Sequence, residues 1–170
     1  MPYRTTVAAR DVLLTRLQRA VSCVSNVVLQ HNCSRPQAGM VYFVAAPGGR
    51  DIRIPTTPGE HLRLQLEWMF RIDALGEARQ WEARVEKYGY QLLTDEGAEM
   101  LAYHFHPGEL GFDPPHLHVS SGAGSLRSEF HRAHLPTGTV SLEDFLSLVI
   151  RDFRVRPQRA DYQAVLALMD

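Results

Sequence analysis

The chain has 170 residues, 45% of them hydrophobic and 22% charged, with a net charge of -1 at neutral pH. That length suits one domain with a real core, and the composition excludes a disordered, collagen-like or membrane-spanning chain. Residues 1–85 carry 11 Arg against 7 acids and residues 86–170 carry 7 bases against 12 acids, so neither half is a strongly basic nucleic-acid surface.

The first element is an amphipathic helix predicted over residues 6–31. Leu13, Leu14, Leu17, Val21, Val24 and Val28 recur at spacings of three and four, the signature of one helical stripe. Thr5 or Thr6 can cap its start, and Asn32 and Pro36 can end it. Leu14, Leu17, Val21, Val24 and Val28 are expected to pack on a sheet or on a second protomer, which makes a homo-oligomer one expectation. Cys23 and Cys33 form no CxxC pair and no disulfide framework, so a reducing, cytoplasmic setting is expected. No apolar run approaches the roughly 18 to 20 residues that cross a bilayer, and no membrane partner is expected.

An antiparallel sheet of five to seven strands follows over residues 40–135. Residues 40–46 form an apolar, β-branched and aromatic run closed by Pro47, Gly48 and Gly49. In residues 62–72, Leu62, Leu64, Leu66, Trp68, Phe70 and Ile72 alternate with Arg63, Gln65, Glu67, Met69 and Arg71, the pattern of a half-buried antiparallel strand. Residues 81–93 read as a strand with a bend at Gly89, residues 94–97 as a turn, and residues 100–106 and 116–120 as further strands. Ser141 with Asp144 three residues later opens a helix, and a last helix follows, so C-terminal helices occupy 141–169. The expectation is one α+β domain over residues 1–170.

Six of the eight histidines, at positions 104, 106, 116, 118, 131 and 134, crowd into 31 residues, and four of them form two His-x-His pairs. Side chains alternate along a strand, so His104 and His106 share one face, as do His116 and His118. A hairpin that sets His106 across from His116 also sets His104 across from His118, giving a patch of about 5 by 7 Å. Three readings of that patch stay open: a cover for a solvated sheet face, general acid–base chemistry at His116 and His118, or a site for Zn, Ni, Cu or Fe on His104, His106, His116 and His118. Glu99, Glu109 and Asp113 are candidate acceptors for the outer ring nitrogens. His131 and His134 read as structural. Arg151, Arg154, Arg156 and Arg159 read as a solvated helix end rather than a phosphate site. No Walker loop, GxGxxG turn or GxSxG elbow occurs.

The segment 115–120 looks like the His-hydrophobic-His signature of single-strand DNA nucleases and transposases, with Tyr162 in the place of their helix tyrosine. The wider order of features over residues 62–153 resembles the TumE-type toxins of bacterial toxin–antitoxin systems: an alternating strand, Tyr88-Gly89-Tyr90, the turn Asp95-Glu96-Gly97, Tyr103 on a strand, His116-Leu117-His118, then a helix. That resemblance implies a small cytoplasmic bacterial toxin, a nuclease using the histidine-rich site, with an antitoxin protein as partner and nucleic acid as substrate. The alternative is a non-enzymatic binding or oligomerisation module with a surface histidine patch. His104-Phe105 stands where the family's Asp-Asn is expected, and the long N-terminal helix is an addition.

Overall fold

The computed structural model describes residues 3–57, 59–76, 80–108, 113–120 and 135–167. The expected α+β architecture is present: helix α1 (Thr6–Val21), an antiparallel sheet, then helices α2 (Leu142–Asp152) and α3 (Tyr162–Ala167). The strands are β1 (Gln30–His31), β2 (Val41–Ala45), β3 (Ile52–Pro55), β4 (His61–Leu75), β5 (Gln80–Thr94), β6 (Glu99–Phe105), β7 (His116–Val119) and β8 (Leu135–Pro136). Seven of them follow the spatial order β1-β2-β4-β5-β6-β7-β8, and β3 shares with β2 the long edge of β4.

The alternation read in residues 62–72 sets the two faces. Leu64, Leu66, Trp68, Phe70 and Ile72 are buried, while Gln65, Met69 and Arg71 between them are half-buried and Glu67 is exposed. Register carries the same parity across the sheet: Trp68 pairs with Tyr88, Tyr88 with Phe105, Tyr90 with Tyr103 and Tyr103 with Leu117. These side chains meet the helices in one core, where Phe145 of α2 lies 5.4 Å from the Tyr90 ring and 6.1 Å from the Tyr103 ring. Polar atoms brought into that core are paired. Trp68 Nε1–H donates to Tyr90 Oη at 3.1 Å, and the Val140 N–H donates to Tyr88 Oη at 3.0 Å. Burial holds both tyrosine phenols above their ordinary pKa.

Both expected caps form: Thr5 Oγ1 accepts from the Ala8 N–H at 3.0 Å, and Ser141 Oγ from the Asp144 N–H at 3.0 Å. Between α1 and α2, Arg16 donates to both oxygens of Glu143 at 2.8 and 3.0 Å, with Glu143 only 3% exposed.

The first helix is shorter than the 6–31 span, ending at Val21. Ser25 Oγ accepts from the Val27 N–H at 3.2 Å, and the Gln18 side chain bonds Val27 O at 2.9 Å and the Leu29 N–H at 2.8 Å. Local hydroxyl bonds and β-branched Val27 and Val28 thus favour a turn and an extended return over further helix. Val24 is still buried, but Val28 is 70% exposed and Leu14 half-buried, so the five-residue stripe is cut to its middle members. The bend expected at Gly89 lies elsewhere. Register slips between Met69 and Phe70, which pair with Lys87 and Val85, so Glu86 is the extra residue and Gly89 stays in register.

Candidate metal centre

The two His-x-His segments lie on adjacent antiparallel strands, as the alternation requires, and face away from the core. Their register differs from the expected one. His104 stands opposite His116 and Ala102 opposite His118, a slip of two residues. A two-residue slip keeps every side chain on its face, so the apolar pattern could not choose between the two registers. Chain ends choose it: β6 stops at Phe105 before the Pro107-Gly108 turn, and β7 starts only after Pro114 and Pro115, which have no N–H for the ladder. On the core side Tyr103 and Phe105 are half-buried rather than buried.

All four imidazoles remain neighbours. Ring centroids of His104 lie 5.8 Å from His106, 5.9 Å from His116 and 5.2 Å from His118, and those of His116 lie 4.9 Å from both His106 and His118. Only three converge as ligands: one nitrogen each from His104, His116 and His118 lies within 4.8 Å of the others. His106, just past the end of β6, is outside that trio, and its buried Nδ1 takes no hydrogen bond among the described residues.

His116 is fully buried, and its Nδ1 lies 2.9 Å from the Pro114 carbonyl oxygen. A carbonyl only accepts, so Nδ1 carries the proton and Nε2 is the lone-pair nitrogen, the orientation that metal-bound imidazoles take. His104 Nε2 lies 3.3 Å from the Gln91 amide. The contacting atom is the amide nitrogen Nε2 of Gln91, which donates, so His104 Nε2 accepts in this arrangement; turning the amide over would present its oxygen instead and leave Nδ1 as the ligating atom. A tetrahedral zinc with bonds of about 2.0–2.1 Å needs nitrogens about 3.3 Å apart, so the trio must close by about 1.5 Å at its widest, within the reach of side-chain rotation.

Two supporting groups stand beside the ligand trio, the Gln91 side chain and the Pro114 carbonyl. Asp113 Oδ1 accepts from the Gly108 N–H at 2.8 Å and so closes the loop. Glu99 stands opposite Leu93 at the far end of β6. Glu109, His131 and His134 lie outside the described residues. Gln91 was discoverable, since its position in the alternation puts it on the histidine face; a carbonyl partner leaves no mark in the residue pattern.

Tyr162 belongs to α3 and packs against the core with the helices, whereas the histidines occupy the opposite sheet face, so the tyrosine-nuclease arrangement does not assemble. Arg151 and Arg159 each pair with a carboxylate, Asp152 and Asp161, and Arg154 and Arg156 lend their backbone to Thr57 and Pro55. This is the solvated helix end expected of them. Cys23 and Cys33 are buried free thiols whose pKa burial pushes up, which makes them poor nucleophiles.

No protein-family model, curated protein or solved structure matches this chain. Fold and site define an α+β protein whose antiparallel sheet carries helices on one face and a three-histidine cluster on the other. No described helix is long and apolar enough to cross a membrane.

Proposed function

We propose that His104, His116 and His118 hold a divalent transition metal such as zinc, and that the protein is a small toxin-like nuclease of bacterial type. The observation that carries the metal is the convergence of three ring nitrogens within 4.8 Å, one of them on a buried imidazole oriented by a backbone carbonyl. Bound there, the metal would polarise a phosphate oxygen and activate a water. His104, His116 and His118 ligate; Pro114 and Gln91 fix the rings of His116 and His104; His106 stands beside His116 to hydrogen-bond an incoming phosphate. The nucleic-acid substrate, the antitoxin partner and the cytoplasmic setting are supported by the toxin resemblance.

The test combines growth on induced expression with cleavage of RNA and single-stranded DNA by untagged protein, with and without chelator. His116→Gln and His118→Gln should each lower activity by about 10²-fold or more, since either change removes a metal ligand. His118→Gln is the cleaner variant because His118 is half-exposed. Loss of cleavage on chelation supports the metal; cleavage that survives chelation assigns His116 and His118 to acid–base catalysis instead. A wild-type protein that neither slows growth nor cuts either polymer contradicts the nuclease and leaves the binding module in its place.

A further inference from the structure

Beside the histidines runs a groove whose floor is missing a side chain. Glu67 on β4, Gly89 on β5, His104 on β6 and His116 on β7 form one row across four strands, all on the face opposite the helices. Gly89 needs no left-handed backbone, so conformational freedom does not account for it. What it gives is space: a Cβ there would sit 3.1 Å from Glu67 Oε1 and 3.2 Å from its Cγ. The carboxylate therefore lies across β5, pointing from β4 toward the histidines. A glycine inside a strand weakens packing and marks the close approach of another group, here Glu67.

Beside the hollow that Gly89 lines runs a groove of about 310 Å³ lined by Phe43, Glu67, Met69, Lys87, Gln91 and His104 among others. That hollow continues from Phe43, Glu67 and Gln91 to Gly49 and Arg50. Phe43 alternates out of the core on β2 opposite Met69 and is 39% exposed, a large aromatic surface standing at the groove wall.

We propose that this groove binds an unpaired guanine base, stacked on Phe43 and read along its Watson–Crick edge by Glu67. The proposal rests on the nuclease reading for the polymer that carries the base. A carboxylate only accepts hydrogen bonds. Guanine is the one common base that offers two adjacent donors, N1–H and the N2 amino group, to both oxygens at once. Adenine and cytosine set a ring acceptor beside their amino group, and uracil flanks its single N3–H with two carbonyls, so each meets Glu67 with a repulsive atom. Only a single-stranded base exposes that edge and a free π-face together. With the base at Phe43 and Glu67, Lys87 and the histidine centre lie on the side where the phosphate follows.

The test is equilibrium binding of the 3′-monophosphates of guanosine, adenosine, cytidine and uridine to the full chain, followed by NMR, with zinc content measured on the same samples. Guanosine monophosphate should bind about tenfold or more tightly than the other three, as a bidentate base contact provides. Glu67→Gln should erase that preference while leaving zinc content unchanged. Phe43→Ala should weaken all four nucleotides by about tenfold. Gly89→Ala should shift Glu67 and reduce the preference with the fold intact by circular dichroism. Equal affinities, no binding, or a preference that survives Glu67→Gln overturns the guanine site. Zinc binding and cleavage without guanine preference would leave the nuclease standing alone, and guanine preference without metal or cleavage would leave the base site standing alone.

Discussion

The two faces of this sheet are built from the same strands and obey different rules. On the helix face, Trp68, Tyr88, Tyr90 and Phe145 fill space, and their hydroxyl and indole groups find partners inside the core. On the other face, Glu67, Gln91, Lys87, His104 and His106 line a groove beside a strand-centre glycine, a poor choice for packing and a good one for admitting a ligand. Residues that no packing demand explains are where function is best sought.

That contrast is broken most severely from the core side. Trp68→Ala or Phe145→Ala should cost about 3–5 kcal/mol in urea unfolding, as expected for emptying a large buried aromatic site. His118→Ala on the open face should cost less than about 1 kcal/mol by the same measurement. An intermediate loss, about 2 kcal/mol, is expected for Glu143→Gln, because Arg16 keeps part of its hydration when its bidentate partner is withdrawn.

Alkaline titration separates the faces in another way. The Tyr88 and Tyr90 phenols have raised pKa values because burial disfavours the phenolate. In the unfolded chain they ionise near the ordinary value of about 10, so stability is fully present below that pH and is lost as pH rises above it. Absorbance of tyrosinate should rise late for these two, together with unfolding, and Tyr90→Phe should remove part of the late component. The smallest effect is expected at Val28→Ser, within about 0.5 kcal/mol, whereas Val24→Ser should be clearly destabilising; equal effects would put the turn after Val21 in question.

Sequence alone showed that His104 and His106 share a face, as do His116 and His118, because strand period depends only on odd and even position. It showed residues 62–72 of β4, short of its last three residues, and the Ser141 cap of α2, and narrowed the α1 cap to Thr5 or Thr6. It did not show the register of β6 on β7, since a slip of two preserves the pattern, nor the end of α1, where Gln18 and Ser25 side chains redirect a chain whose valines still fit a helical stripe. Glu67 and Gly89 are not legible as a pair because they are neighbours only across strands, and Gly89 alone reads as a bend.

The three-histidine centre is tested most directly by titrating untagged, chelator-stripped protein with zinc against a competing chromophoric chelator. Wild-type protein should take up one zinc per chain, and His104→Gln and His118→Gln should each weaken uptake by about 10²-fold while the circular dichroism spectrum is unchanged. No uptake by the wild type, or uptake unaltered in both variants, would contradict the centre.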